Sequence, residues 1–201
     1  MTNDHIMGLL LAIPEIAAWP QMATILTRTA DKVRMDWLLP VLGCQAVGGG
    51  EDDALPGVAA IACTQISIIL ADDLLDEDPR GEHQRIGVGQ AANLALAFQA
   101  AAFRVIDLAP ISASLRAAVQ GSLAALALKT AYGQWLDVQN FQGEDDYWKV
   151  VEAKSTPFYG AALQVGAQLG GASPGVVTAL YAIGVQLGEI VQLFDDLEDA
   201  L

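Results

Sequence analysis

The chain carries two clusters of aspartates whose spacing suits metal binding. Both follow the pattern D-D-x-x-D, and their members are Asp72, Asp73 and Asp76 in the first cluster and Asp195, Asp196 and Asp199 in the second. In a helix, the first and last carboxylates of such a cluster lie one turn apart on the same face. Like charges at that spacing repel each other, so each cluster costs stability unless a cation lies between the carboxylates. Two such clusters on facing helices would form an oxygen-only site for a hard divalent ion, and Mg²⁺ is the expected metal. Magnesium keeps part of its coordination for water and substrate phosphate, which indicates a diphosphate ligand.

The elements that must position these carboxylates are helices. Apolar residues recur every three or four positions through most of the sequence, and Gly- and Pro-containing segments separate the stretches. No alternating pattern typical of a strand competes with them, so we predict an all-α fold. The acidic run 51–53 is assigned to a loop. The predicted helical stretches are Ile6–Trp19, Met22–Leu26, Trp37–Ala46, Gly57–Leu75, Gln90–Leu108, Ile111–Phe141, Asp146–Leu169 and Pro174–Leu201.

Composition limits the class of protein. The chain has 201 residues, which suits one domain with a substantial core. Hydrophobic residues make up 53% and charged residues 17%, which excludes a disordered acidic protein despite a net charge of −14. The acidic balance also argues against nucleic acid as a partner, because no basic stripe is present to meet a phosphate backbone.

The expected location is the cytoplasm. The first five residues lack the positive region of a secretory signal, and polar residues interrupt the apolar stretches, so we expect no membrane span. Cys44 and Cys63 stand in apolar helical contexts and are expected to be buried thiols. Helices this apolar favour a homodimer, since monomers rarely expose such faces.

The motifs resemble those of the trans-isoprenyl (polyprenyl) diphosphate synthases, which have the class I terpenoid synthase fold. The second cluster matches the family pattern G-x-x-x-Q-x-x-D-D-x-x-D from Gly188 through Gln192 to Asp199. Arg80-Gly81 follows the first cluster, where the family carries an Arg-Arg-Gly tract. Gly133-Gln134-x-x-Asp137 resembles the family's G-Q-x-x-D helix, which lies between the two clusters, and Lys154-Ser155-Thr156 resembles its K-T element. Together these elements cover residues 37–199, and the resemblance implies an antiparallel helical bundle with a central cavity.

The resemblance also implies roles for individual residues. Three Mg²⁺ ions are expected to bridge the carboxylates to an allylic diphosphate, which places Asp72, Asp76 and Asp195 as direct ligands. Asp73, Asp196 and Asp199 are expected to bind the metal through water or to orient the ligands. The diphosphate is expected to contact Arg80, Lys154 and Gln192, and Gln192 is also suited to steadying a carbocation. Asp72, Asp76, Asp195, Lys154 and Gln192 form the predicted catalytic set.

Two departures from the family pattern stand out. Members that elongate prenyl chains carry the pattern G-K-R-x-R-P near the N-terminus to bind the diphosphate of the second substrate. Here that stretch corresponds to residues 32–37, where Lys32 and Arg34 remain as candidate ligands while Val33 and Asp36 replace cations. Family members also continue for several helices beyond the second cluster, so residues 1–201 are expected to form an isoprenoid synthase-like domain without those helices.

Three functions remain open at this stage. The first is a prenyltransferase that ionises an allylic diphosphate and condenses it with isopentenyl diphosphate. The second is a terpene cyclase that folds one prenyl diphosphate onto its own double bonds, which the residues at 33 and 36 favour. The third is a non-catalytic subunit that partners an active homologue. The retained and mutually repelling carboxylates argue against the third function.

Overall fold

A computed structural model describes residues 3–30, 35–139 and 143–199, and within these ranges the chain is helical and contains no strand. The predicted all-α fold is confirmed. A 3₁₀ turn covers Met35–Leu38. The α-helices, in chain order, are α1 (Asn3–Leu11), α2 (Pro14–Ala17), α3 (Pro20–Ala30), α4 (Leu39–Gln45), α5 (Glu51–Leu75), α6 (His83–Ile86), α7 (Val88–Leu108), α8 (Ala113–Asp137), α9 (Glu144–Lys154), α10 (Thr156–Leu169) and α11 (Pro174–Asp199).

Two helices form the centre of the bundle. Helix α5 packs against α1, α4, α7, α8 and α10, and α10 packs against α4, α5, α8, α9 and α11. Residues 58–64 of α5 are buried on every side of the helix, which explains why this segment is apolar around its whole circumference. The ends of α5, α8, α9 and α11 are thereby held around a common space, which contains the candidate site described below.

The start of α5 differs from the prediction. The helix begins at Glu51 rather than Gly57, so the acidic run 51–53 forms its first turn and its assignment to a loop is wrong. The backbone N–H of Gly50 donates a hydrogen bond to Asp53 Oδ2 at 2.8 Å, which caps the helix. Carboxylates in the first turn are favourable because the helix N-terminus carries a partial positive charge. The helix continues through Pro56.

The predicted stretch Asp146–Leu169 is divided into two helices. Helix α9 ends at Lys154 and α10 begins at Thr156, with Pro157 in its first turn. Proline lacks a backbone donor and its ring disfavours a continuing helix before it, so α9 ends and Pro157 lies in the first turn of α10, where the missing donor costs nothing. The Thr156 hydroxyl donates to Glu152 O at 2.7 Å and bridges the break. The break leaves Lys154 at a helix end, beside the common space.

Within the part of the chain that the structure describes, three helices are long and apolar enough to cross a membrane, judged by length and composition alone. These are α5, α7 and α11, and the fractions of their apolar windows buried within the protein are 67%, 39% and 11%. We expected polar residues to interrupt every apolar stretch of this length, and by length and composition that expectation is wrong. In α5 the polar side chains satisfy their hydrogen bonds internally: Thr64 donates to Ala60 O at 3.0 Å and Ser67 donates to Ala95 O at 2.8 Å. Cys44 and Cys63 are free and buried, as predicted.

Candidate functional site

The C-terminal ends of α5, α8 and α11 and one face of α9 surround a cavity of about 700 Å³. Its walls come from α5, α8, α9 and α11, together with the loop that follows α5. Residues from both acidic clusters contribute to it, as the spacing of the clusters predicts. The lining residues are Asp72, Asp76, Asp78, Arg80, Asp137, Gly143, Asp146, Tyr147, Val150, Val151, Lys154, Ser155, Gln192 and Asp196.

The first acidic cluster supplies two of the carboxylates. Asp72 lies in the last turn of α5, and Asp76 follows the helix as its C-cap, with its N–H donating to Asp72 O at 2.9 Å. Asp137 ends α8, and carboxylate oxygens of these three residues lie within 4.8 Å of one another. Burial and the charge of Asp72 raise the pKa of Asp76. Three oxygen ligands at the negative ends of two helices fit a hard cation such as Mg²⁺.

Helix α8 reaches this position through its G-Q-x-x-D segment. A Cβ atom on Gly133 would collide with the backbone of Ala153 and Lys154, so only glycine permits this approach of α8 to α9. The buried Gln134 side chain donates to Ile68 O at 3.1 Å and joins α8 to α5. The segment is therefore not a polar surface turn. Its glycine and glutamine set the position of Asp137 relative to Asp72.

Lys154 lies between the carboxylates. Its Nζ is 2.9 Å from Asp72 Oδ1 and 2.5 Å from Asp137 Oδ2, and its side chain is 20% exposed. Burial disfavours the ammonium, but hydrogen bonds and the charges of the two aspartates outweigh that effect and raise the pKa of Lys154. The lysine therefore remains charged and neutralises part of the negative charge at this end of the cavity.

The second cluster is held by neutral donors. Gln192 Nε2 donates to Asp196 Oδ1 at 2.8 Å, and the Tyr147 hydroxyl donates to Asp196 Oδ2 at 2.5 Å. Ser155 donates through its hydroxyl to Gln192 Oε1, which orients the amide. The hydrogen bond to Asp196 raises the pKa of Tyr147 to about 12. A Cβ on Gly188 would lie 2.8 Å from Thr156 Cα, so this glycine lets α11 approach the start of α10.

The other predicted metal ligands lie elsewhere. Asp195 is exposed on α11 and is not among the residues that line the cavity. Asp199 ends α11, and its side chain lies outside the described part of the structure. Asp73 lines a separate cavity of about 390 Å³, which it shares with Arg28 and Arg85 among other residues. Burial and the neighbouring acidic charges raise the pKa of Asp73.

Besides Lys154, three cationic residues were predicted to bind diphosphate, and the described part of the chain includes one of them, Arg80. Arg80 lines both cavities, and its guanidinium pairs with Asp78 through Nε at 3.2 Å and Nη2 at 3.0 Å. The Arg80 side chain is 89% exposed, which leaves it able to turn toward a ligand. Hydrogen bonds from Arg80 lower the pKa of Asp78. Lys32 and Arg34 lie outside the described residues.

The Asp36 carboxylate accepts a hydrogen bond from another side chain. Gln65 Nε2 donates to Asp36 Oδ2 at 3.0 Å, and Trp37 Nε1 donates to Gln65 Oε1 at 2.6 Å. These three side chains connect the 3₁₀ turn to the middle of α5. The carboxylate at position 36 thus has a structural partner, and because the Gln65 amide is neutral the carboxylate keeps its negative charge.

Eight of the fourteen lining residues were not predicted as site residues, and Asp137, Asp78 and Tyr147 are the three of them that bear on the metal site. Asp137 had a signal, because Gly133-Gln134-x-x-Asp137 resembles a family element, but its role as a potential ligand depends on the approach of α8 to α5. Asp78 and Tyr147 had no signal in the motifs. Tyr147 is 49 residues from Asp196, and only the fold brings them together.

The sequence matches a known family over most of its length. The family model described as "Polyprenyl synthetase" matches residues 26–201. A geranylgeranyl diphosphate synthase from Methanosarcina mazei is 29% identical over 169 residues, which cover 79% of this chain and 52% of the relative. A (2E,6E)-farnesyl diphosphate synthase from Mycobacterium tuberculosis is 29% identical over 170 residues, covering 79% of this chain and 46% of the relative. The chain spans about half the length of these curated relatives.

Solved structures confirm the fold. The geranylgeranyl pyrophosphate synthetase of Geoglobus acetivorans superposes with a TM-score of 0.83 at 22% identity, over 98% of this chain and 68% of that protein. The geranylgeranyl pyrophosphate synthetase of Pyrococcus horikoshii superposes with a TM-score of 0.85 at 21% identity, over 98% of this chain and 62% of that protein. The helical arrangement around the cavity is therefore shared with these two proteins.

Proposed function

This chain belongs to the polyprenyl synthetase family, and we propose that it condenses an allylic prenyl diphosphate with isopentenyl diphosphate. One observation carries the proposal: carboxylates of both acidic clusters line a single cavity that also contains Lys154 and Arg80. The cyclase and the non-catalytic subunit gain no support from the relatives, whose names are those of prenyl diphosphate synthases.

The carboxylates of the cavity provide the metal site in this proposal. Asp72, Asp76 and Asp137 lie close enough to share cations on one wall, and Asp196 adds a carboxylate on the other. Asp195 and Asp199 complete the proposed ligand set, and three ions with the diphosphate bound remain our expectation. When bound, Mg²⁺ supplies positive charge that stabilises the departing diphosphate.

The cationic side chains bind the diphosphate directly. The Lys154 ammonium leaves one of its carboxylate partners and binds a phosphate oxygen as a compact charge. The planar guanidinium of Arg80 leaves Asp78 and binds two phosphate oxygens at once. Gln192, oriented by Ser155, presents its amide beside them. The allylic C–O bond breaks and its electron pair leaves with the diphosphate. The terminal carbon of the isopentenyl double bond attacks the allylic carbocation and forms the new C–C bond. The carbocation that this leaves on the isopentenyl unit then loses a proton from a neighbouring carbon, which gives the new double bond.

We propose that the protein acts as a homodimer in the cytoplasm. Support for a dimer comes from large apolar side chains exposed on α7 and α8, of which Leu96 is 70% and Leu128 is 74% exposed. Burial of such side chains between two copies would remove them from water. Sedimentation velocity on the wild type and on Leu128→Lys tests this, because a dimer whose interface includes Leu128 would dissociate in the variant.

The activity is tested by supplying one substrate or both. The full-length protein is incubated with Mg²⁺ and farnesyl diphosphate, with and without isopentenyl diphosphate, and the products are analysed by chromatography. Longer diphosphates that form only with both substrates support the proposal. Hydrocarbon or alcohol from farnesyl diphosphate alone would indicate cyclisation, and metal-dependent binding without turnover would indicate a non-catalytic subunit.

A further inference from the structure

Tyr147 holds the carboxylate of Asp196 from the opposite wall of the cavity. The tyrosine belongs to the first turns of α9, whereas Asp196 belongs to the last turns of α11. Its hydroxyl donates to Asp196 Oδ2 at 2.5 Å, a length typical of strong hydrogen bonds to a charged acceptor. Gln192 Nε2 donates to the other oxygen at 2.8 Å. Each oxygen of Asp196 therefore has one fixed donor.

The two donors orient Asp196 without cancelling its charge. A lysine beside a carboxylate neutralises it, as Lys154 does for Asp72. Tyr147 and Gln192 are neutral, so Asp196 keeps its full negative charge for a cation in the cavity. Each carboxylate oxygen carries two acceptor positions, and one on each oxygen remains available. Ligand orientation of this kind is how residues outside the coordination sphere strengthen metal binding.

The position of Tyr147 is itself restrained. Its ring packs edge-on against Trp148, with 5.4 Å between the ring centroids. Helix α9 begins after Gly143, whose φ of +107° suits glycine and lets the backbone turn into the helix. The tyrosine therefore approaches Asp196 from a helix turn rather than from a loop, which favours one orientation of the hydrogen bond.

We infer that Tyr147 is a positioning residue, which fixes the Asp196 carboxylate so that its remaining acceptor positions serve a divalent cation bound with diphosphate. The inference rests on the proposed function in taking this cavity as the metal–diphosphate site. It adds a residue that neither acidic cluster contains. It also makes the alignment of α9 with α11 part of the metal site.

The test removes one hydroxyl group. Tyr147→Phe is nearly isosteric, so the fold should be retained, and its melting temperature without metal should stay close to that of the wild type. Mn²⁺ is used as a paramagnetic probe with inorganic diphosphate, and binding is measured by electron paramagnetic resonance. We expect the Mn²⁺ affinity to fall about tenfold, at the lower end of the range for lost orienting partners of a metal ligand. The Mg²⁺ concentration for half-maximal turnover should rise by a similar factor.

Two comparisons isolate the hydrogen bond. Tyr132→Phe removes a hydroxyl from an exposed tyrosine that stacks on Trp135 and does not line this cavity, so Mn²⁺ affinity should not change. Asp196→Asn should itself weaken Mn²⁺ binding. Adding Tyr147→Phe to Asp196→Asn should then have no further effect, because the two side chains act as one unit.

The outcomes separate this inference from the proposed function. Wild-type Mn²⁺ affinity in Tyr147→Phe would overturn the inference, as would loss of turnover with unchanged affinity, or additive effects in the double variant. If the wild type forms no prenyl product but Tyr147→Phe still loses Mn²⁺ affinity, the proposed function is wrong and the inference stands.

Discussion

Helices α5 and α11 are similar in sequence and differ in environment. They have 25 and 26 residues, both are apolar, and both end in a D-D-x-x-D cluster. Yet 67% of the apolar window of α5 is buried, against 11% for α11. The exposed side chains of α11 include Ile183, Ile190, Phe194 and Leu197. Two helices with the same sequence pattern are therefore buried to different extents.

The difference extends to the way each cluster is stabilised. At the end of α5, burial raises the pKa of Asp73 and Asp76, and a cation, Lys154, sits against Asp72. At the end of α11, Asp196 is held by the neutral donors Tyr147 and Gln192. The Asp72 and Asp196 side chains are both partly exposed, so the contrast lies in the partners that the fold supplies, a cation for Asp72 and neutral donors for Asp196. The environment, more than the motif, decides which partner a carboxylate takes.

The largest expected effect comes from the cluster at the end of α5. Asp72→Asn removes a carboxylate that the cations and Lys154 share, and we expect turnover to fall by on the order of 10³-fold. Asp52→Asn makes the same change at the opposite end of α5 and should leave turnover unchanged. Steady-state kinetics with both substrates provide the measurement. Near-normal turnover in Asp72→Asn would contradict the assignment of the metal site.

The cluster at the end of α11 is compared through Asp195. Asp195 is a predicted direct metal ligand, so we expect Asp195→Asn to lower turnover by on the order of 10²-fold or more. The same kinetic assay measures it beside Asp72→Asn. If only Asp196→Asn lowers turnover, the ligand on α11 is Asp196 and the prediction for Asp195 is wrong.

Core substitutions test the difference in burial. Ile61 is 0% exposed on α5, whereas Ile183 is 54% exposed on α11. We expect Ile61→Ala to lower the free energy of unfolding by about 2–5 kcal/mol, because it leaves a cavity. Ile183→Ala should cost less than ~1 kcal/mol, since the site is half in water. Urea unfolding followed by circular dichroism gives both values. Equal losses would show that α11 is covered in solution.

Lys154→Met tests the need for a cation at the end of α5. Removing the ammonium leaves Asp72 and Asp137 with an uncompensated repulsion, so the free energy of unfolding should fall by roughly 2 kcal/mol without metal. Lys149→Met removes an exposed lysine paired with Asp146 on the same helix, and should cost less than ~1 kcal/mol. Thermal melts with and without Mg²⁺ measure both. A loss in Lys154→Met no greater than in Lys149→Met would contradict this role.

The smallest expected effect is a difference in thiol reactivity between α5 and α11. Cys63 is fully buried in α5, and burial raises its pKa to about 12, so little thiolate forms at about pH 8. It should react slowly with Ellman's reagent. A cysteine introduced by Ile183→Cys on α11 should react at least about tenfold faster, because its expected pKa is ordinary at an exposed position. Similar rates for both thiols would remove the contrast between the helices.

Much of the site could be predicted from local pattern. Asp72, Asp76, Lys154 and Gln192 were predicted from spacing and family resemblance, and all four line the cavity. The helical break before Pro157 was missed when Asp146–Leu169 was predicted as one stretch, although the restricted backbone of proline is a local signal for it. Asp73 was predicted as a metal ligand from the same motif but lies in a different cavity, since adjacent residues of a helix point about 100° apart.

The amino-acid sequence by itself determined the all-α fold, the family and the two carboxylate clusters, because helical periodicity and motif spacing are local properties. Tertiary structure decided which partners the carboxylates have. Asp137 lies beside Asp72 because Gln134 joins α8 to α5, and Gly133 lets α8 approach α9 at the same point. Tyr147 reaches Asp196 only because α9 faces α11 across the cavity. It also decided that α5 is buried and α11 is exposed. Burial depends on what packs against a helix, and two helices of equal hydrophobicity have no local feature that reveals their neighbours.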